Sequence, residues 1–127
     1  KKMRKRGVQS LMAKRSKRAK ATDFDSKTRA RIKQRDGNEC LFCRLGKYGV
    51  SNTRWLPPQI MHYIPRSAGG LGIEENGVEG CQFHHNLMDN GNTGQREEMR
   101  ADMRRYLKGI YPGWNEEMLY YRKENYK

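Results

Sequence analysis

The chain has 127 residues; Ile, Leu, Val and Phe supply only 19 of them, and Lys and Arg exceed Asp and Glu by 13. That apolar share lies below the roughly 20% typical of a self-sufficient core, so with this charge composition alone predicts disorder. One small domain fits, whereas a large two-domain enzyme, a membrane span of about 18 apolar residues and a secretory signal do not, and a soluble cytosolic protein is expected.

Ten of the first twenty residues are Lys or Arg and none is acidic, which leaves a net +3 on the other 107. Residues 1–22 therefore read as a basic, flexible tail ahead of a domain over 23–127. Lys14, Arg15, Lys17 and Arg18 are its candidate nucleic-acid contacts, the alternative being a solubilising or localisation tail. The chain opens at Lys1 rather than Met, which leaves room for residues upstream.

Asp23-Phe24-Asp25-Ser26 offers capping side chains to a short basic helix over 27–35, anchored by Ile32 and ended by Asp36-Gly37. Residues 38–43 read as a turn bearing two cysteines. An extended stretch follows from Trp55 to Ile64, with Pro57-Pro58 confining regular pairing to its second half. The glycines of 66–72 suit a loop. Helical patterning returns over 82–89 and, more firmly, from Arg96 to Ile110, where Met99, Met103, Tyr106, Leu107 and Ile110 share a face. Pro112-Gly113 stops that helix, and Asn115 can cap a last turn through Tyr121. The C-terminal helical part spans 95–122.

Cys40-Leu41-Phe42-Cys43 and Cys81-Gln82-Phe83-His84 are two ligand pairs of equal spacing, and they use all three cysteines. Two pairs at i and i+3 make a closed tetrahedral zinc site, and a structural zinc contributes on the order of 10 kcal/mol, the staple a thin core needs. His85 follows His84 directly, and successive helical side chains diverge by about 100°, so His85 is left for a second site. Asp89 stands four residues on, one helical turn from His85, and is the nearest oxygen ligand for a hard cation; the plain alternative is a helix-end polar residue. In Ile60-Met61-His62-Tyr63, period two puts His62 on the face opposite Met61 and Tyr63. Zinc ligation would close the chain between the pairs into a compact loop holding His62 and Asn76.

These residues, in this order, resemble the HNH endonuclease family over roughly 35–90, above all Arg35 to Cys43, His62 to Gly70 and Asn76 to His85. The stretch from His62 to Gly91 is most similar to HNH proteins encoded by phages and prophages of Gram-positive bacteria. The resemblance implies a small zinc-stabilised α+β fold, a ββα-metal (treble-clef-like) motif with flanking helices. It implies metal-dependent hydrolysis of DNA phosphodiester bonds with Mg²⁺, Mn²⁺ or Ni²⁺, leaving 5′-phosphate and 3′-hydroxyl ends. By it, His62 is the general base, Asn76 orients that histidine or assists the metal, and His85 ligates the catalytic ion. DNA is the implied partner, with phage packaging proteins such as terminase as further ones and the bacterial host cytoplasm as location. Met61 stands where much of the family has an acidic ligand, and a thioether is a poor ligand for a hard ion. His84 in place of a fourth cysteine is ordinary for zinc.

Arg66, Arg54 and Lys47 are candidate phosphate contacts beside the site, and Trp55, Tyr48 and Tyr63 candidate stacking or packing aromatics. No helix reads as a base-edge reader, so nicking with little sequence preference is expected. The competing readings are a non-enzymatic zinc finger that binds nucleic acid and, more remotely, an assembly factor.

Overall fold

The computed structural model describes residues 16–90 and 94–126. In chain order the helices are α1 (Lys17–Thr22), α2 (Ser26–Asp36) and α3 (Leu41–Leu45), then α4 (Gln82–Asn90) and α5 (Arg96–Ile110) after a hairpin of β1 (Gln59–His62) and β2 (Gly77–Gly80). Short 3₁₀ turns cover Arg66–Ala68, Glu74–Asn76, Glu116–Leu119 and Lys123–Tyr126. The result is a small α+β domain. Among its described residues no helix is long and apolar enough to cross a membrane.

The helix starts follow from capping chemistry. Asp25 caps α2 by accepting from the Thr28 N–H at 2.8 Å, and Gly37 at φ 70° ends it. The cysteine turn winds into α3, because the Cys40 sulfur takes the place of a capping oxygen for the Cys43 N–H. Only Gln59–His62 of the long extended stretch pairs, antiparallel with β2 in the register Ile60 to Glu79 and Met61 to Val78. Two glycines in β2 permit close approach. A Cβ on Gly77 would lie 2.8 Å from the Phe24 ring and from Ile32, and one on Gly80 would lie 2.4 Å from the Met61 tip.

The core lies between the hairpin and the helices α3, α4 and α5: Phe42, Met61, Tyr63, Ile64, Val78, Met88, Met99, Met103, Leu107, Trp114 and Leu119. Met99, Met103 and Leu107 line the buried face of α5 as expected, but Ile110 is exposed, because the helix runs past the core before Tyr111 turns away. Asn115 makes no side-chain cap. A polar clamp ties the end of α2 to the sheet: Arg35 donates to the Gly77 carbonyl at 2.6 Å and the Glu74 carbonyl at 2.7 Å, and Asp36 accepts from the Glu79 N–H at 2.8 Å and the Tyr106 hydroxyl at 2.5 Å.

The boundary at residue 22 needs correcting. From Ser16 onward the basic segment is part of the domain, since Thr22 is buried, the Ala21 carbonyl accepts from Gly72 N–H at 2.9 Å, and Arg18 reaches the carbonyls of Arg66 and Ser67. A short apolar-poor helix gives no periodic signal, and the contacts that hold it lie some 40 to 50 residues away.

Candidate functional site

The ligand pairs meet. Cys40 and Cys43 come from the start of α3, Cys81 and His84 from the start of α4, and their donor atoms all lie within 4.8 Å of one another. His84 Nδ1 is 3.5, 3.6 and 3.2 Å from the sulfurs of Cys40, Cys43 and Cys81, and Cys43 Sγ is 3.8 Å from Cys81 Sγ. Zinc bonds of about 2.3 Å to sulfur and 2.0–2.1 Å to nitrogen place ligands roughly 3.5–3.8 Å apart around a tetrahedron. The four residues can therefore hold a metal ion such as zinc.

The surroundings fit that use. His84 is fully buried, and its Nε2–H donates to the Lys47 carbonyl at 3.0 Å, which leaves the Nδ1 lone pair for the ion. Burial and the neighbouring Cys40 push the Cys43 thiol up to about 12, and burial also raises Cys40. At Cys81 burial works upward, but hydrogen bonds with Ser51 and His84 outweigh it and bring the thiol down to about 6. Three crowded sulfurs ionise together only around a cation.

His85 projects to the other side of α4, into an open groove of about 630 Å³ that His62 and Asp89 also line. His62 is fixed from two directions. Its Nε2 lies 2.8 Å from the Thr22 carbonyl, which can only accept, so Nε2 carries the proton and Nδ1 the lone pair. The Phe24 ring packs on the imidazole with centroids 4.3 Å apart. Burial pushes the His62 pKa below its ordinary 6.5; the Thr22 carbonyl opposes that shift, and the charges of Arg66 and Arg29 add to it. A neutral imidazole results at physiological pH.

His85 Nδ1 lies 2.5 Å from Gln59 Oε1, and Nε2 lies 3.2 Å from Asp89 Oδ2. With its proton on Nδ1 toward Gln59, Nε2 presents a lone pair to a carboxylate oxygen, and that pair needs a shared proton or a cation between them.

Asn76 stands apart from this chemistry. It is fully buried; its amide oxygen accepts from the Ile64 N–H at 2.8 Å, and its amide nitrogen donates to the carbonyls of Ile64 at 3.1 Å and Leu71 at 2.8 Å. It pins the loop after His62, and its side chain bonds to neither histidine ring; the group that holds the His62 ring is the Thr22 carbonyl. Met61 is 2% exposed and packs into the core under Gly80.

The expected phosphate contacts divide. Arg66 lines the groove, paired with Asp23 at 2.7 Å. Lys47 instead pairs with Asp102 at 3.1 Å, and Arg54 lies beside the cysteine cluster on another surface. Lys17 is exposed on α1, Arg18 is spent on loop carbonyls, and Lys14 and Arg15 fall outside the described residues. Tyr48 and Tyr63 are packing residues held by Asp102 and Glu116, while Trp55 is 80% exposed. Sequence reasoning missed three groove arginines, Arg29, Arg96 and Arg100. The last two are spaced i, i+4 along the flank of the Met99–Met103 face, a signal that was present in the helix pattern. Compared with known proteins, the chain matches no family model, no curated protein and no solved structure.

Proposed function

We propose that the protein is a metal-dependent endonuclease of the HNH type that hydrolyses DNA phosphodiester bonds with little sequence preference. One observation carries the reading: a neutral histidine with a free Nδ1 lone pair, His62, lines the same groove as the His85–Asp89 pair, between walls bearing Arg29, Arg66, Arg96 and Arg100. A phosphodiester is the anion such walls attract, and the backbone carries no base identity.

In this reading His62 Nδ1 takes a proton from water as the water oxygen bonds to phosphorus and the bond to the 3′-oxygen breaks. Thr22 and Phe24 hold the ring so that this lone pair stays directed and unprotonated. His85 and Asp89 would hold the divalent ion, whose chemistry is to stabilise the charge developing on the leaving and non-bridging oxygens. The Cys40, Cys43, Cys81 and His84 zinc is structural, because four protein ligands leave no open position. Genome packaging beside a phage terminase is the setting the family resemblance suggests.

The deciding assay incubates supercoiled plasmid with wild-type and His62→Ala protein in Mg²⁺, Mn²⁺, Ni²⁺ or none. Nicked circles from the wild type alone, with zinc content equal in both, support the proposal; wild-type-like nicking by the variant sinks His62 as base. The buried Met61 favours a second reading, a zinc finger that binds nucleic acid without cutting it. Retention on DNA without nicking in any metal selects that one.

A further inference from the structure

The four groove arginines are not equivalent. Arg66 is neutralised by Asp23, Arg29 donates Nε to the Phe24 carbonyl at 2.9 Å, and Arg96 donates to the carbonyls of Met88 and Asp89 at 2.8 and 2.5 Å, which fixes the end of α4. The Arg100 side chain makes no hydrogen bond and no ion pair with any described residue, although its Nε is buried. Its guanidinium instead lies 5.1 Å from the centroid of the Tyr63 ring, and that ring is immobilised by its hydroxyl bond to Glu116 and by burial.

A buried N–H without a partner is destabilising, and a guanidinium held against an aromatic face keeps its planar fork of donors directed outward. The groove beside it holds His62, His85 and Asp89. What complements a preorganised, un-neutralised fork is an anion with two oxygens in one plane, and a phosphate supplies them. We infer that Arg100 is a phosphodiester-binding residue of this groove, gripping the non-bridging oxygens of the phosphate presented to His62. The inference rests on the nuclease reading for the identity of that phosphate, but the binding site itself does not require turnover. Arg96 and Arg66 then act as positioning residues, one on the α4 end and one on Asp23.

The test has two readouts on the full chain. In ¹⁵N-labelled wild-type protein, titration with dimethyl phosphate should shift the Arg100 Nε–Hε resonance, assigned as the one lost in Arg100→Gln, more than those of the other arginines. In kinetics on bis(p-nitrophenyl) phosphate, a diester too small to reach the basic segment, Arg100→Gln should lower kcat by about 100-fold, the scale of losing one oriented oxyanion donor. Arg100→Lys should recover only part of it, since an ammonium cannot form the two-pronged contact. Lys108→Ala removes a charge from the exposed side of the same helix and should change neither readout. An unmoved Arg100 resonance, or full rate in Arg100→Gln, overturns the inference while wild-type cleavage leaves the nuclease reading standing. A shifted resonance in a protein that cleaves nothing upholds the phosphate site and overturns the nuclease reading.

Discussion

His84 and His85 are adjacent on one helix and serve opposite environments. His84 is sealed inside a cage of three sulfurs with its far nitrogen tied to a backbone carbonyl; His85 stands at the wall of an open groove, between a glutamine and a carboxylate. The cluster is closed, built from two i, i+3 pairs and suited to holding the fold together, whereas the groove is open, lined by side chains from several separate segments and suited to chemistry. The 100° step between neighbouring helical residues is enough to separate the two tasks. Mutations should therefore split by side: those at His84 and its partners should act on folding, those around His85 on turnover.

The largest expected effect is on the closed side. Cys43→Ser leaves three ligands for an ion whose binding is worth on the order of 10 kcal/mol, comparable with the whole stability of a small domain. Circular dichroism should show an unfolded or molten chain, and a strong chelator should do the same to the wild type. If Cys43→Ser stays folded with wild-type thermal stability, the division between the two sides fails.

On the open side, His62→Ala should cut kcat by about 10²–10⁴-fold, the range for a positioned base, yet keep one zinc per chain. It removes the hydrogen bond to Thr22 and the contact with Phe24, so a stability loss of about 1–2 kcal/mol should accompany it. Equal losses of zinc and activity would show that the two sides are not separable.

What the sequence discloses follows the same division. The four residues able to hold a metal ion such as zinc were legible because each pair lies within one turn of chain, and spacing alone constrains where they point. The face of α5 was legible through Met99, Met103 and Leu107 for the same reason. The groove was not: Thr22 reaches His62 across 40 residues, and Phe24 crosses a comparable span. Asn76 was found by its place in the motif, but its work is backbone satisfaction, which residue type does not reveal. Lys47 and Arg54 were misplaced near the groove because a chain that doubles back after the cysteine turn brings sequence neighbours to a different surface.

Asn76 sharpens the comparison as a residue that pins the loop after His62 and whose effect should be structural. Asn76→Ala strands the Ile64 N–H and two carbonyls in a buried site, which should cost about 2–4 kcal/mol and lower Tm by about 10 °C or more. Below that Tm the variant should retain turnover per folded molecule. Asp89→Asn should do the converse, raising the Mg²⁺ or Mn²⁺ needed for half-maximal cleavage at least tenfold, as even outer partners of a metal ligand cost roughly 10–100-fold. Zinc content and Tm should hold. Placing an acid at position 61 by Met61→Asp should not help, because it would bury an unpaired carboxylate in the core beneath Gly80.

The smallest expected effect is on pH, and it tests whether the groove's charge tunes its base. Burial, aided by Arg66 and Arg29, depresses the His62 pKa below 6.5. A base lowered on folding binds fewer protons in the native than in the unfolded state, so the stability gained from keeping His62 neutral is fully present above pH 6.5 and is lost as pH falls through the depressed folded value. Activity should follow the same direction, with the acid limb of the kcat profile lying below pH 6.5. Arg66→Gln removes one of the charges that oppose protonation. That change pushes the His62 pKa upward, so the acid limb should move to higher pH while the plateau rate at alkaline pH changes little. NMR titration of the His62 ring should report the same displacement, and it should be absent in Arg54→Gln, whose charge lies on the cysteine-cluster surface. If Arg66→Gln leaves the limb in place, burial between Phe24 and Thr22 alone keeps His62 neutral, and the arginine walls serve the substrate rather than the base.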